Sequence, residues 1–197
     1  MNNYIEWFKK NKITEVECLI PDNSGIPRGK ILPTKKFLSS FESGGLRLPL
    51  HLFKLAVSRS VSYSIDDQLL NPTDGDFILK PDFNTLRVVP WYEEPTAQII
   101  CDAVDSKENE IEVYSRGILK RVINLFNDIG LEPIIAPEIE FYLVKKNNDP
   151  DYPLETPSGQ SGRIEKGNQS YGIDAINEFD HIFEDLYDYC EAQDLDV

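Results

Sequence analysis

Positive charge is scarce in this sequence and is nowhere concentrated. Its 197 residues carry 20 Lys and Arg against 34 Asp and Glu, which gives a formal net charge of −14 at pH 7. The longest basic runs are pairs such as Lys35-Lys36 and Lys145-Lys146. Phosphate backbones and anionic lipid surfaces repel such a chain, so neither nucleic acid nor a membrane is an expected partner.

Cysteines and long apolar runs are scarce too. Cys18, Cys101 and Cys190 are odd in number, lie far apart and form no Cys-x-x-Cys pair. This pattern argues against a disulfide framework and a zinc site, and it predicts buried free thiols. No run approaches the roughly 20 apolar residues of a membrane span, and residues 1–10 lack the apolar stretch of a signal peptide. We therefore expect a soluble, cytoplasmic protein.

The first hundred residues alternate between strand and turn patterns. Residues 14–20 alternate apolar and polar side chains, as a half-buried strand does, and residues 28–32 can return as its hairpin partner. Turn-forming residues occupy 21–25 between them. Two helices and two further strands are predicted at 2–11, 33–41, 86–91 and 96–104. Short strands and long loops are predicted between residues 46 and 85. Together they form a small mixed α+β unit.

A polar segment, residues 105–110, separates two regions of regular pattern. It lacks an apolar anchor, which is the composition expected where few contacts cross a domain boundary. We therefore predict one domain at 12–104 and a second at 110–197. The fold class predicted for the chain is α+β.

The second domain begins with a helix and a strand. Apolar residues recur at helical spacing over 118–129, and Gly130 stands where a helix C-cap belongs. A strand is predicted at 132–144, a last helix at 174–193, and either a functional loop or disorder in the polar residues 145–172. One good strand and two helices cannot close a sheet alone, so we expect this domain to be truncated.

Two carboxylates give the predicted strand its chemistry. Glu138 and Glu140 share one face with Cβ atoms roughly 7 Å apart, close enough to hold one or two hard cations. The simpler interpretation is a solvent-exposed acidic face. Ile134 and Tyr142 on the same face, and the hydrogen bond that Pro137 removes from the ladder, favour instead the wall of a partly enclosed site.

The residues around these carboxylates resemble a known family. Pro137-Glu138-Ile139-Glu140-Phe141-Tyr142-Leu143 resembles the metal-binding segment of the glutamine synthetase family. Five further segments resemble the same family in chain order: residues 21–33, 79–82, 85–91, 115–119 and 171–174. The resemblance covers nearly the whole chain, and the ordered combination is more specific than any one segment.

The resemblance implies a fold and an activity. The expected fold is a β-grasp-like N-terminal domain followed by an incomplete glutamine synthetase catalytic domain. The family joins ammonia or an amine to the γ-carboxylate of glutamate through a γ-glutamyl phosphate, made from ATP with Mg²⁺ or Mn²⁺. The resemblance also implies a large ring-shaped homo-oligomer with sites shared between subunits. The absence of a P-loop motif does not count against ATP, because the family has none.

Four residues receive roles when the chain is matched to the family position by position. Glu140 would hold the metal on the glutamate and amine side, and Glu138 the metal that bridges the ATP phosphates. Asp66 matches a loop acid that binds and deprotonates the ammonium or amine, a task suited to a carboxylate. Tyr171 matches an aromatic residue near the glutamate pocket, with core packing as the alternative.

Two departures from the family pattern bear on these expectations. Residues 66–69 are Asp-Asp-Gln-Leu where ammonium-specific members carry Asp-Gly-Ser-Ser, which resembles the γ-glutamylpolyamine synthetase branch and points to a larger amine. The family's remaining metal and phosphate ligands lie beyond Val197, so the 197-residue chain alone is expected to be inactive. A non-catalytic assembly or binding module with the same fold is the alternative.

Overall fold

The computed structural model describes residues 2–41, 43–55, 75–149, 151–165 and 169–197. The chain forms two compact units, Met1–Pro133 and Ile134–Val197. Within the described ranges, no helix has the length and apolar character needed to cross a membrane. The predicted domains, residues 12–104 and 110–197, have their boundary at a different place from that of the two compact units, and they stay predictions.

A mixed six-stranded sheet organises the first unit. Its strands are β1 (Glu15–Pro21), β2 (Pro27–Pro33), β3 (Leu46–Pro49), β4 (Asp76–Pro81), β5 (Arg87–Val88) and β6 (Thr96–Val104). They lie in the order β2-β1-β6-β4-β3, and β5 pairs with β6. β1 and β6 run parallel, and the other pairings among these strands are antiparallel. The fold is thus mixed α/β, whereas the finer β-grasp assignment stays a prediction.

Five α-helices accompany the sheet in the described part of the chain. The first unit contains α1 (Asn2–Lys10), α2 (Thr34–Ser40) and α3 (Ser115–Asp128), with short 3₁₀ turns at Leu50–Lys54 and Phe83–Thr85. The second unit contains α4 (Ile173–Asn177) and α5 (Asp180–Ala192). The three helices of the first unit lie where the periodicity of the sequence predicts them.

The predicted hairpin is confirmed, and Asp22 explains its turn. β1 and β2 pair in register along their whole length. The Asp22 carboxylate accepts three hydrogen bonds, from the backbone N–H groups of Ser24 and Ile26 and from Nε of Arg28, all at 2.9 Å. Burial alone would raise the pKa of Asp22, but these hydrogen bonds together hold it below its ordinary value. A charged side chain therefore fixes the turn.

One face of the sheet carries the hydrophobic core. Alternate residues of the two central strands β1 and β6 are fully buried there: Val16, Cys18, Ile20, Ala97, Ile99, Cys101 and Ala103. Aromatic rings from neighbouring elements pack with them, and the ring centroids of Phe53 and Phe77 lie 5.0 Å apart. The opposite side, which we call the outer face of the sheet, carries the residues that alternate with these.

The three thiols are free, as predicted. Cys18 and Cys101 are buried, and Cys190 is half-buried. A hydrogen bond with Cys18 and burial both raise the pKa of the Cys101 thiol. The two core thiols therefore act as small apolar side chains rather than as reactive groups.

The C-terminus of α3 has the geometry that its sequence predicts. Gly130 adopts φ +76°, the left-handed conformation that favours glycine. Its N–H donates to the Asn127 carbonyl and the N–H of Leu131 donates to the Phe126 carbonyl, both at 2.9 Å. These two bonds form a Schellman motif, which satisfies carbonyl groups that the helix leaves without partners.

The second unit departs from its prediction. The single helix expected at 174–193 is wrong, because α4 and α5 are separated at Glu178 and Phe179. Phe179 is buried and leaves helical geometry with φ −124° and ψ 23°. The Glu178 carbonyl accepts a hydrogen bond from the Gln160 N–H at 2.9 Å instead of taking part in the hydrogen bonds of a continuous helix. A buried aromatic side chain and a long-range hydrogen bond thus override local periodicity.

Candidate functional site

The two predicted metal ligands lie in an irregular, exposed segment, residues 131–147. The strand predicted at 132–144 is therefore wrong for this chain. An alternating pattern becomes a strand only where a neighbouring strand satisfies its N–H and C=O groups, and no described residue does so between 134 and 144. Ile139, on the face of the predicted strand opposite to the two carboxylates, is 81% exposed.

Glu138 and Glu140 nevertheless have the right donor chemistry for a hard cation. Both are exposed, and within the described part of the chain neither carboxylate makes an ion pair or a hydrogen bond. Mg²⁺ prefers octahedral oxygen coordination and takes one or two carboxylates from protein, with the rest from water and phosphate. Among the described residues, no group of three or more His, Cys, Asp and Glu could hold a metal ion. The pair fits Mg²⁺ chemically but is at most part of a metal site.

The other two predicted site residues have different outcomes. Tyr171 is 99% exposed and adopts φ +60°, which is uncommon for a residue other than glycine. This exposure contradicts the core-packing alternative and leaves the role near a glutamate pocket as a prediction. Asp66 lies outside the described residues.

An ion-pair network at the start of α3 escapes prediction from the sequence. Arg116 donates from Nη2 to Asp82 at 2.7 Å and from Nη1 to Asp102. Lys120, one turn later, donates from Nζ to Asp102 at 2.5 Å. The spacing of Arg116 and Lys120 is visible in the sequence, but Asp82 lies 34 residues from Arg116 and has no local signal. The network attaches α3 to the sheet of the first unit.

The protonation states of this network point to a structural role. Burial alone would raise the pKa of Asp82, but the hydrogen bonds from Arg116 and the Asn84 N–H, and the charges of Arg116 and Lys120, hold it below its ordinary value. Burial would lower the pKa of Arg116, yet its carboxylate partners raise it. Both groups thus stay charged at neutral pH, which makes Asp82 a weaker base and Arg116 a weaker acid than usual and favours a structural ion pair.

A buried tyrosine lies at the N-terminal end of the same helix. Tyr114 has no exposed surface, and its hydroxyl donates to the Cys101 carbonyl at 2.7 Å. Burial raises its pKa. The side chain therefore stays protonated and anchors α3 to β6 as a structural residue.

The apolar side chains of α3 remain largely in solvent. They recur at helical spacing and are between 40% and 71% exposed: Ile118, Leu119, Val122, Leu125, Phe126 and Ile129. We call this set the apolar stripe of α3. A stripe of this kind normally faces a core or a partner surface.

The family match covers the residues that carry the predicted chemistry. Residues 112–197 match the model of the glutamine synthetase catalytic domain. The matched stretch contains α3, Glu138, Glu140 and Tyr171. The first unit's sheet precedes it.

Two curated relatives and one solved structure extend the comparison. The glutamine synthetase of Methanocaldococcus jannaschii is 32% identical over 152 residues, which cover 76% of this chain and 32% of that protein. The γ-glutamylputrescine synthetase of Escherichia coli K12 is 25% identical over 197 residues, 98% of this chain and 40% of that protein. A crystal structure described as a novel glutamine synthase homologue has a TM-score of 0.50 at 19% identity, covering 59% of this chain and 27% of that one. The structural likeness supports the fold alone, and the chain spans well under half the length of these relatives.

Proposed function

The match over residues 112–197 confirms the relationship of this chain to the glutamine synthetase family, and on that premise we propose that the chain is part of a glutamate–amine ligase. The ligase joins ammonia or an amine to the γ-carboxylate of glutamate through a γ-glutamyl phosphate made from ATP. The observation that carries the proposal is the presence of residues 137–143, with both candidate metal ligands, inside the matched stretch.

The proposed roles follow the chemistry of each side chain. Glu140 would hold a metal on the glutamate and amine side, and Glu138 would hold a metal that serves the ATP phosphates. Bound Mg²⁺ or Mn²⁺ would neutralise charge on the transferring phosphoryl group. Asp66 stabilises the incoming ammonium and accepts its proton. Tyr171 lies beside the bound glutamate, and its nearly complete exposure in this chain leaves its ring available for that contact.

The chain contributes only part of such a site. The described residues contain no cluster of three or more metal-capable side chains, and the curated relatives are more than twice as long. The exposed apolar stripe of α3 supports the same conclusion. Burial of one large apolar side chain stabilises a protein by about 1.5–3 kcal/mol, so such a stripe favours a surface that covers it. We propose that the 197 residues alone are inactive and that the rest of the catalytic domain covers the stripe. A ring-shaped homo-oligomer with shared sites completes this proposal.

The amine is proposed to be larger than ammonia. Residues 66–69 lack the Asp-Gly-Ser-Ser pattern of ammonium-specific members. The E. coli relative, which matches 98% of this chain, is named for putrescine as its amine. The M. jannaschii relative, named a glutamine synthetase, represents the competing choice.

The test is turnover by the complete gene product with glutamate, ATP and Mg²⁺. We expect faster phosphate release with putrescine than with ammonia, and γ-glutamyl hydroxamate when hydroxylamine replaces the amine. Glu140→Gln should reduce turnover by more than about a hundredfold, because even outer-shell partners of metal ligands cost 10–100-fold. Glu132→Gln, exposed in the same segment, is the matched control. Absence of turnover with ammonia and with every amine would contradict the proposal.

A non-catalytic module is the second candidate, favoured by the incomplete metal cluster among the described residues. It predicts that the complete gene product binds Mn²⁺ no better than its Glu138→Gln and Glu140→Gln variants. Titration of Mn²⁺ followed by electron paramagnetic resonance separates the two candidates. Weaker binding in both variants supports the ligase, and equal binding supports the module.

A further inference from the structure

The helices α1 and α2 border a groove in the first unit that the proposed ligase site does not use. Its volume is about 270 Å³. It is lined mainly by apolar side chains and two lysines: Ile5, Phe8, Ile13, Leu38, Lys9 and Lys12. Ile5, Phe8 and Lys9 have the i, i+3, i+4 spacing that places side chains on one face of a helix.

The floor of the groove belongs to the hydrophobic core. Phe8 is 3% exposed and Ile13 7%. The Ile13 N–H donates to the Phe8 carbonyl at 3.0 Å, and the Lys12 N–H donates to the Lys9 carbonyl at 3.1 Å. These two bonds form a Schellman motif, which ends α1 and fixes the floor. A ligand there would meet an ordered, apolar surface.

Lys12 occupies the position of this motif at which glycine is the usual residue. It adopts φ +53°, in the left-handed region where a side chain costs conformational energy. The dipole of α1 favours the cations of its last turn, Lys9 and Lys10, but Lys12 lies beyond that turn. The end of the helix therefore does not require a lysine at position 12, and a side chain kept at a strained position is typical of a functional site.

The charge around the groove is positive, in contrast to the rest of the chain. Residues 7–14 and 34–38 contain five lysines and no acid, although the whole chain has a net charge of −14. Lys9 and Lys12 are exposed, and within the described part of the chain neither ammonium group makes an ion pair or a hydrogen bond. Of the described residues that line the groove, none is acidic. Glu6 is about 100° from Ile5 around α1 and points away from the lining.

We propose that this groove binds an aliphatic carboxylate. The alkyl chain packs against Ile5, Phe8 and Leu38, and the carboxylate accepts charge-assisted hydrogen bonds from Lys9 and Lys12. The volume favours a short alkyl chain over a docked amphipathic helix, which inserts several anchor side chains along two turns. The groove lies outside the matched residues 112–197, so the inference does not depend on the proposed ligase activity.

NMR spectroscopy can locate the ligand on the 197-residue chain. We expect the amide resonances of Lys12 and Ile13 to shift with a saturating dependence on sodium hexanoate, at constant pH and ionic strength. Hexan-1-ol has the same alkyl chain without the charge, and hexylammonium chloride has the opposite charge. Neither should produce a saturating shift of these two resonances.

Two double variants separate the lining lysines from the general positive charge. Lys9→Gln with Lys12→Gln should weaken hexanoate binding by at least about threefold, because one exposed ion pair contributes up to about fivefold. Lys10→Gln with Lys36→Gln is the matched control. It removes the same charge from residues near the groove that do not line it, and it should change binding by less than about twofold.

A glycine at position 12 distinguishes binding from a structural role. Lys12→Gly removes the ammonium group and also relieves the left-handed strain. This variant should unfold at a higher urea concentration than the parent and yet bind hexanoate more weakly. A purely structural lysine would not give this combination.

Four results would overturn the inference. Hexanoate could give no saturating shift, or hexan-1-ol or hexylammonium could give an equal one. The variant without Lys9 and Lys12 could bind as tightly as the variant without Lys10 and Lys36. Lys12→Gly could bind as the parent does. Finally, the shifts could follow protein concentration instead of ligand, because a second copy of the chain would then occupy the groove.

Discussion

Two segments of this chain share an alternating apolar pattern and end in opposite environments. β6 (Thr96–Val104) buries Ala97 and Ile99 completely. In the segment 132–144, Ile135 is 71% exposed and Ile139 81%. Both patterns predict a strand, so the difference does not come from the pattern itself.

Neighbouring strands explain the difference. β6 pairs with β1, β4 and β5, which satisfy its backbone groups. Its inner-face residues are buried in the hydrophobic core. No described residue satisfies the backbone groups between 134 and 144. Alternation therefore encodes which face of a strand is apolar, but the strand forms only where a partner is present. The exposed segment is also the one that carries Glu138 and Glu140.

Hydrogen exchange should show the largest contrast between the two segments. We expect the paired amides of β6 to exchange at least about a thousandfold more slowly than an unstructured chain, because they open only with the core. Amides at 134–144 should exchange without measurable protection. Exchange measured by NMR or mass spectrometry tests both, and protection of 134–144 in the 197-residue chain would show that the segment has found a partner.

The same substitution in the two environments should have unequal cost. Phe37→Ala removes a fully buried ring and should lower the free energy of unfolding by about 3–5 kcal/mol. Phe141→Ala removes a ring that is 53% exposed and should change it by less than about 0.5 kcal/mol. Urea denaturation followed by circular dichroism measures both. A large cost for Phe141→Ala would contradict the contrast.

The attachment of α3 to the sheet can be tested through Arg116. Its side chain is 19% exposed and binds two carboxylates, so Arg116→Ala should lower the free energy of unfolding by about 1–3 kcal/mol. Arg121, which is 45% exposed and pairs with Glu110 at 2.7 Å, is the matched control. Arg121→Ala should cost about 0.5 kcal/mol or less, because solvent screens the pair. Equal costs would mean that the network does not stabilise the attachment.

The effect of Arg116→Ala on the free energy of unfolding should depend on pH. The pKa of Asp82 is lower in the folded chain than in the unfolded one, so its stabilising contribution is complete above the ordinary carboxyl pKa and is lost as the pH falls through the lowered value. Arg116→Ala removes the main partner and should flatten this part of the profile. The free energy of unfolding of the parent chain and of Arg116→Ala, measured from pH 7 into the acid range, tests this. Parallel profiles for the two proteins would contradict the expectation.

Local signals explain which parts of the fold could be predicted. The strand at 96–104 and the end of α3 follow from alternation and from Gly130, because both signals lie within a few residues. The turn of the hairpin follows from Asp22 and its neighbours for the same reason. Free thiols were predictable from the number and spacing of the cysteines.

Long-range contacts explain the failures. Arg116 meets Asp82 across 34 residues, and the Glu178 carbonyl that ends α4 meets Gln160. The buried Glu17 has the alternation of a solvent-facing residue, and its hydrogen bond with Gln98 joins residues 81 positions apart. Such contacts are properties of the assembled fold, so the α3 network has no signal in the linear sequence.

Two glycines offer the finest test of the contrast between the two units. Gly130 in the first unit and Gly162 in the second adopt φ +76° and +79°, and a Cβ added at either would meet no atom within 4 Å. Alanine at either position therefore tests the cost of a left-handed conformation alone, about 1–2 kcal/mol.

Trp7 and Trp91 both lie in the first unit, so unfolding followed by tryptophan emission should detect the cost of Gly130→Ala. Gly162→Ala should leave that transition unchanged and instead speed amide exchange near the bridge between Ser158 and Ile164. An equal shift of the tryptophan transition in both variants would mean that the second unit unfolds together with the first, and the exposed segment 134–144 would then have to be part of one cooperative structure.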